Sequence, residues 1–301
     1  MGIVDDLLAR LTRRGGVVLA LGGGGARGLA HLGVLEVLEQ AKVPVVGVAG
    51  TSAGALVGAM WLALGSAQAV MQRWREFLAT GLLKGLPDNP LSDAVSSRDS
   101  TLLTYARRLK RSAVVALALG RRSLVDPAEL DKGLEFLLPE VTVHDLRLPF
   151  AAVAVDFTTG RPVSLRGGPL RTVVAASCSI PGVLPPYRLG ARFLIDGGTV
   201  ADVPVHQARD LARRPVIAVD VSESLALDEG DTITMPRAIV RGATMTSRAL
   251  LATVLRAADV TMRPDVGEFH WSEFGRFDEL VAAGRAATEP VVGRIHELAR
   301  P

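Results

Sequence analysis

The feature that most constrains the fold is the long segment 43–72, which carries no charged side chain. By length alone this segment could be a membrane span, because about 20 apolar residues in a helix cross a bilayer. Five glycines, Pro44 and the pair Thr51-Ser52 interrupt its apolar character, however. A buried strand followed by a buried helix explains the segment better, since the central elements of α/β proteins are covered on all sides. We therefore predict a strand–helix unit and not a transmembrane helix.

Other apolar segments extend this pattern along the chain. Short β-branched and aliphatic runs predict strands, and helical spacing of apolar residues predicts helices between them. The strands are 17–21, 45–48, 150–155 and 216–221, and the helices are 29–40, 53–64, 67–78, 128–138 and 205–211. Such alternation predicts an α/β fold, a three-layer α/β/α sandwich with a mostly parallel central sheet. We predict a single domain, 1–301, with its core at about 16–222, a cap or insertion at 81–123 and C-terminal helices at 235–301.

Composition narrows the possible functions. The formal net charge of +3 is too small to indicate a nucleic-acid partner. The one cysteine, Cys178, cannot form an intramolecular disulfide and is typical of a reducing compartment. The five histidines lack metal-ligand spacing, so we expect no metal and no cofactor. The apolar run 17–21 is too short for a secretory signal. We expect a cytoplasmic location, which allows peripheral contact with the inner face of the membrane.

A candidate nucleophile lies in the middle of the uncharged segment. Gly50-Thr51-Ser52-Ala53-Gly54 is a G-x-S-x-G motif between a predicted strand and a predicted helix. In a nucleophile elbow the serine occupies a sharp, strained turn there, and its neighbours two residues away lack side chains that would clash. The dipole of the following helix favours developing negative charge at the hydroxyl. By itself the motif also fits a tight turn in which Ser52 only caps the helix.

A glycine-rich loop, GGGGARG at 22–28, follows the first predicted strand. Consecutive glycines expose backbone N–H groups that can converge on an anion, either a dinucleotide pyrophosphate or the oxyanion of an acyl intermediate. Gly23, Gly25 and Gly28 match the dinucleotide motif G-x-G-x-x-G. That motif expects an acidic residue at the end of the second strand, where 48–51 contain none. The oxyanion interpretation is therefore favoured. Arg27 would anchor the loop, attract an anionic head group, or be a solvated surface charge.

A candidate base follows a later apolar run. Asp196-Gly197-Gly198 ends the run Phe193–Ile195, and a carboxylate before two glycines has room to turn toward a neighbouring site. Such a carboxylate can take the proton of a serine if it is desolvated and within hydrogen-bond range. Alone the motif is most often a turn. The alternatives are a Ser–His–Asp triad that uses one of the later histidines, and two other strand-end acids, Asp156 and Asp220.

Together these motifs resemble one family. The glycine-rich loop, GTSAG and DGG, in this order, look like the patatin-like phospholipases, and the similarity extends to 175–186 and 202–205. It covers about 16–222 and is similar to bacterial members and to the catalytic domain of neuropathy target esterase. The resemblance implies a Ser52–Asp196 dyad, supported by Arg27, Gly50, Gly54, Gly197 and Gly198. It also implies an oxyanion hole formed by Gly23, Gly24, Gly25 and Ala26. Asp202 stands where relatives often carry Asn, and we expect this difference to affect the loop more than the chemistry.

The resemblance implies a serine lipid acyl hydrolase, a phospholipase A, lysophospholipase or esterase that forms an acyl-enzyme intermediate. Two alternatives remain: a catalytically weak, membrane-associated regulatory relative and a nucleotide-binding α/β protein. The expected partners are lipid acyl esters.

An anionic membrane is a further candidate partner, because basic residues bracket the apolar stretch 112–120 within 107–122. Basic residues beside an apolar helix can lie at an anionic lipid surface. Packing of this stretch into the core or a dimer contact is the alternative.

Overall fold

The apolar β-branched runs form the four strands that the sequence predicts, and four further strands join them. The structure, a computed structural model, describes residues 15–82, 126–225 and 235–301. Within these residues the strands are β1 (Val17–Leu21), β2 (Val45–Thr51), β3 (Phe150–Asp156), β4 (Pro162–Leu165), β5 (Tyr187–Leu189), β6 (Arg192–Asp196), β7 (Val216–Val219) and β8 (Val260–Met262). All eight belong to one sheet.

Helices connect the strands, and five of them begin and end within two residues of the predicted bounds. They are α1 (Ala30–Gln40), α2 (Ala53–Leu64), α3 (Ala67–Thr80), α4 (Pro127–Leu137), α5 (Leu170–Ser177), α6 (Val205–Arg209), α7 (Met235–Leu255), α8 (Phe277–Thr288) and α9 (Val292–Leu298). Side chains cap two of these helices: Ser66 accepts a hydrogen bond from Ala69 N at 3.2 Å, and Asp126 from Ala128 N at 3.0 Å. These caps satisfy N–H groups that the first turn of a helix leaves without partners.

Alternation of side chains along the strands separates two hydrophobic cores. Val17, Leu19 and Leu21 of β1 belong to one core, and Val18 and Ala20 to the other, because successive strand side chains lie on opposite faces. The first core packs against α1 to α5, α8 and α9, and the second against α6 and the C-terminal end of α7. The predicted three-layer α/β/α sandwich is confirmed.

The sheet combines a parallel and an antiparallel part. Parallel pairs join β3, β2, β1, β7 and β8 in this order, as the mostly parallel prediction requires. β4 and β6 pair with β3 antiparallel, and β5 pairs with β6 antiparallel at the edge of the sheet. This antiparallel part is not predicted from the sequence.

Strands β2 and β6 lie end to end along one edge of β3. β4 pairs with 152–155 of β3, whereas β2 pairs with 150–153 and β6 with 154–156. Since a strand has two hydrogen-bonding edges and β4 overlaps both partners in register, β2 and β6 must share the edge opposite β4. They run in opposite directions, so their carboxyl ends meet: Thr51 pairs with Val153, and Asp196 with Ala154. This arrangement brings the GTSAG and DGG segments together.

Two predictions concern the membrane and the cap. Among the described residues no single helix has both the length and the apolar composition of a membrane span, and α2 with α3 meets that test only as a pair bent by 116°. Apart from its first two residues, the predicted cap at 81–123 lies outside the described residues, as does the basic segment 107–122.

Candidate active site

Ser52 occupies a strained turn between β2 and α2. Its backbone angles are φ 52° and ψ −121°, a region that costs a non-glycine residue about 1–3 kcal/mol. The flanking glycines permit this turn. A Cβ on Gly50 would lie 2.5 Å from Ala55 N, and a Cβ on Gly54 would lie 2.2 Å from Leu21 O. Ser52 is thus in the nucleophile-elbow conformation, where its side chain does not cap α2.

Ser177, at the end of α5, holds this turn in place. The Ser52 backbone N–H donates to Ser177 Oγ at 2.9 Å, and Ser177 Oγ donates to Val153 O of β3 at 2.6 Å. The Ser177 hydroxyl is therefore both acceptor and donor in a buried bridge between the elbow and the sheet. No motif in the sequence singles out Ser177, although the residue lies within the stretch that resembles the family.

Asp196 reaches the site from the end of β6. Its backbone N–H donates to Ser179 O at 2.9 Å, and its Oδ1 accepts a hydrogen bond from Gly198 N at 2.7 Å. Gly197 permits the close approach of the two strand ends, since a Cβ there would lie 2.4 Å from Val153 O. The second carboxylate oxygen, Oδ2, is buried and has no hydrogen-bond partner among the described residues.

Burial raises the pKa of the Asp196 carboxyl group to about 6, and the Ser52 hydroxyl and the Gly198 amide act in the opposite direction. Strand pairing brings the two residues close together, since Thr51 pairs with Val153 and Asp196 with Ala154, although their side chains make no hydrogen bond of regular geometry in this structure. Catalytic hydrogen bonds are often long before substrate binds. A carboxylate with a raised pKa is a better base than one in water.

Cys178 lies beside the same two groups. Burial raises the pKa of its thiol above the usual range, the charge of Asp196 raises that pKa further, and the Ser52 side chain acts in the opposite direction. A thiol with a raised pKa stays protonated and is a poor nucleophile. Cys178 therefore packs against the dyad without competing with Ser52.

The backbone amides of the glycine-rich loop are of two kinds, those that donate a hydrogen bond within the protein and those that do not. Gly23 N donates to Asp202 O at 3.1 Å, and Ala26 N donates to Trp271 O at 2.7 Å. The amides of Gly24 and Gly25 have no hydrogen-bond partner among the described residues. Of the four amides predicted for an oxyanion hole, Gly24 and Gly25 are thus available to a ligand, whereas Gly23 and Ala26 shape the loop.

Glycine is required at two positions of the loop for different reasons. Gly25 has φ +59°, and a Cβ there would lie 2.4 Å from Trp271 O. Gly23 faces the nucleophile, since a Cβ there would lie 3.4 Å from Ser52 Cβ and 2.9 Å from Asp202 Oδ1. The loop and the elbow are therefore neighbours, as an oxyanion hole requires.

Arg27 anchors the glycine-rich loop to two distant segments of the chain. It is buried, its Nε donates to Val221 O at 3.1 Å, and one terminal nitrogen donates to Phe269 O at 3.0 Å. Glu223 lies 3.8 Å from the same guanidinium. Of the three predicted roles for Arg27, the structure supports the anchor. The solvated surface charge is wrong.

Two further titratable groups pack behind the loop. His31 is fully buried, its Nε2 donates to Gly22 O at 2.8 Å, and burial lowers its pKa to about 4. It is a neutral packed residue. Burial raises the pKa of the Asp202 carboxyl group to about 7, with further contributions from the charges of Asp220 and Asp196.

An apolar cavity of about 180 Å³ opens beside Ser52. Side chains of α2, α3, α4, the loop after α5 and the segment before α8 line it, among them Leu56, Trp74, Phe77, Leu134, Val183 and Phe274. The backbone of Gly133 also lines it, and a Cβ there would meet Phe77 at 3.5 Å, an ordinary contact. A mostly apolar cavity beside a polar reactive group is typical of a site for an acyl chain.

The comparison with known proteins decides the family. The family model described as patatin-like phospholipase matches residues 19–209, which include the glycine-rich loop, Ser52 and Asp196. The chain belongs to the patatin-like phospholipase family.

Several patatin-like proteins are similar to the chain. Patatin-like phospholipase domain-containing protein 6 of Homo sapiens is 29% identical over 95% of this chain and 21% of its own length. An uncharacterized NTE family protein of Mycobacterium tuberculosis is 32% identical over 70% of this chain and 50% of its own. The chain thus spans between a fifth and a half of these curated relatives. The crystal structure of VipD from Legionella pneumophila covers 94% of this chain and 67% of its own at 16% identity, with a TM-score of 0.49.

No histidine lines the cavity that contains Ser52, within the ranges that the structure describes. His206 and His296 are exposed on helices, and His270 Nδ1 lies 2.7 Å from Ser272 Oγ. The strand-end acids have structural partners instead. Asp156 accepts from the amides of the β3–β4 turn, and Asp220 pairs with Arg263 at 3.3 Å. Nor do the described residues contain a cluster of side chains that could hold a metal ion.

Proposed function

We propose that the chain is a serine lipid acyl hydrolase in which Ser52 is the nucleophile and Asp196 the base. One observation carries this proposal: a buried carboxylate oxygen without a hydrogen-bond partner lies beside a serine held in a strained elbow. A buried polar atom without a partner costs free energy. The proton of an attacking hydroxyl would supply the missing partner. Membership of the patatin-like phospholipase family supports the same reaction class.

The acylation step follows from this arrangement. Ser52 Oγ attacks the carbonyl carbon of the ester, and its proton passes to Asp196 Oδ2. The carbonyl oxygen becomes an oxyanion and accepts hydrogen bonds from the free amides of Gly24 and Gly25. The tetrahedral intermediate then collapses, the ester C–O bond breaks, and the alcohol leaves with the proton from Asp196. Donors fixed in advance stabilise the oxyanion because they need no reorganisation as the charge develops.

Deacylation repeats the same proton transfers with water. A water oxygen attacks the acyl carbon and gives a proton to Asp196. The bond to Ser52 Oγ then breaks, the serine recovers the proton, and the fatty acid leaves. Asp196 therefore acts as base and acid in turn, and no other titratable side chain is needed.

The cavity indicates the acyl group of the substrate. Since a protein cavity of about 150 Å³ holds benzene, the space beside Ser52 accommodates roughly six or seven acyl carbons. The cavity is too apolar for a charged head group, so we infer that it receives the acyl chain while the alcohol portion faces the solvent. This orientation supports a phospholipase A or lysophospholipase reaction. Contact of 107–122 with an anionic membrane stays a prediction.

The test is hydrolysis of short-chain acyl esters by Ser52→Ala protein. Loss of a nucleophile that acts with its base lowers kcat by on the order of 10⁴-fold or more. The matched control is Ser66→Ala, which removes a serine at the start of α3 and should change stability but not hydrolysis. Retention of more than a small fraction of activity in Ser52→Ala protein would show that another group is the nucleophile. Full inactivity of the unmodified protein on lipid esters would favour the regulatory relative.

A further inference from the structure

The antiparallel end of the sheet carries an unusual distribution of charge. From Phe157 to Ile195 the chain contains five arginines and no acidic residue, although its overall formal net charge is only +3. Two of these arginines are fixed by carbonyl groups: Arg166 donates to Asp210 O, and Arg171 donates to Leu138 O and Glu135 O. The other three have no such anchor.

Arg161, Arg188 and Arg192 are exposed, and their guanidinium groups make no hydrogen bond or ion pair with any residue in 15–82, 126–225 or 235–301. The nearest strand-end acid, Asp156, accepts instead from the amides of Thr158 and Thr159. Three unpaired arginines at one end of the sheet therefore form a surface of uncompensated positive charge.

Two exposed phenylalanines lie at the same end of the sheet. Phe157 is 62% exposed and Phe193 is 47% exposed. Phe157 N donates to Phe193 O at 2.8 Å, and Phe193 pairs with Arg188 in the β5–β6 register. Directly opposite residues in antiparallel strands project from the same face. Phe157, Phe193 and Arg188 thus form a row on one face. Arg192, the neighbour of Phe193 in β6, and Arg161, opposite Asp156, project from the other face at the same end of the sheet. We call these five residues the aromatic–arginine patch.

The patch lies at the same end of the sheet as the candidate active site. Phe157 directly follows the carboxyl end of β3, and Thr51, the neighbour of Ser52, and Asp196 pair with Val153 and Ala154 of that strand. At ~3.3 Å per strand residue, the patch begins about 10 Å beyond Asp196. The loop 178–186 connects the two, because it contributes Ile180, Val183 and Leu184 to the cavity and continues into β5.

We propose that the aromatic–arginine patch, which includes none of the residues 107–122, docks the protein on an anionic lipid membrane. Arginines attract acidic head groups, and aromatic rings lie well at the boundary between head groups and acyl chains. Docking there would place the cavity mouth against the lipids that contain the proposed ester substrates. The functional reason for such docking rests on the proposed lipid hydrolysis. Membrane binding itself requires no turnover and can be measured with inactive protein.

The experiment measures binding of the full chain to vesicles of phosphatidylcholine with and without phosphatidylserine. Ser52→Ala protein is the parent, so that lipid is not consumed. One variant adds Arg161→Glu, Arg188→Glu and Arg192→Glu, and a second adds Phe157→Ser and Phe193→Ser. The matched control adds Arg213→Glu, Arg256→Glu and Arg300→Glu, which are exposed arginines elsewhere with the same change in charge.

We expect the patch arginine variant to bind phosphatidylserine vesicles about 100-fold more weakly than the control variant, since each arginine contributes about fivefold. The phenylalanine variant should also bind more weakly, and both should hydrolyse soluble esters normally when Ser52 is restored. Equal binding by patch and control variants would overturn the proposal. So would a loss of self-association or of nucleic-acid binding in the patch variants without a loss of vesicle binding. Failure of the proposed function would appear instead as absent ester hydrolysis.

Discussion

At the scale of single residues, the buried Asp196 carboxylate is a source of instability. Burial raises its pKa from 3.8 to about 6, so the folded chain disfavours the anion relative to the unfolded chain. The stabilising effect of a raised carboxyl pKa is present below the unfolded value, near pH 4, and is lost as pH rises to about 6. Above that pH the folded state bears the full cost of the buried charge. Functional groups commonly carry such a cost.

Asp196→Asn should therefore change activity and stability in opposite directions. Hydrolysis should fall by on the order of 10⁴-fold, because an amide cannot accept the serine proton. The free energy of unfolding should rise at pH 8 by up to about 3 kcal/mol, given ~1.4 kcal/mol per pKa unit, and should be unchanged at pH 4. Urea unfolding at both pH values measures this difference. An active Asp196→Asn protein beside an inactive His206→Ala or His270→Ala protein would indicate a triad instead.

At the scale of elements, the pairing of strands explains what the sequence can and cannot predict. β1, β2, β3 and β7 are predictable because their apolar runs are local and buried on both faces. β4, β5 and β8 are short, and β5 and β8 contain only three residues each. Such strands are too short to show a recognisable alternation of apolar and polar residues. Helix α5 is also not predicted, because its segment LRTVVAAS is rich in β-branched residues.

The contacts that complete the site are non-local. Ser177 contacts Ser52 across 125 positions of the chain, and Thr51 Oγ1 donates to Ala201 O across 150. Motifs located Ser52 and Asp196 as candidates, but only the end-to-end arrangement of β2 and β6 shows why they meet. Non-local contacts also determine which amides of the glycine-rich loop are free. Gly23 and Ala26 donate to distant segments of the chain, whereas Gly24 and Gly25 do not, and the sequence alone does not reveal this difference.

The glycine-rich loop allows a prediction at the element scale. Gly24→Ala should lower kcat by about 10²–10³-fold with little change in KM, because oxyanion donors act chiefly in the transition state. A Cβ at Gly24 would lie 2.9 Å from Val221 O and would displace the loop. The matched control is Gly242→Ala in α7, where a Cβ meets nothing within 4 Å. An unchanged kcat in a folded Gly24→Ala protein would exclude an oxyanion role for this amide.

At the scale of the whole molecule, the fold brings the candidate catalytic residues together at the carboxyl ends of the central strands. The carboxyl ends of β1 and β2 present the glycine-rich loop and the elbow, as is general for ligand sites in open α/β sheets. The antiparallel strand β6 adds Asp196 from the opposite direction. The described helices α3 and α4 cover the resulting cavity. The single-domain arrangement over 1–301 and the cap at 81–123 stay predictions.

The central claim is that Ser52 is the nucleophile of an acyl hydrolase. The most direct measurement is labelling of the full chain with a lipid-like fluorophosphonate, followed by identification of the modified residue by mass spectrometry. We predict a single adduct on Ser52, greatly slowed by Asp196→Asn and unaffected by Ser66→Ala. An adduct on another residue, or labelling of Ser52→Ala protein at the rate of the unmodified protein, would contradict the assignment.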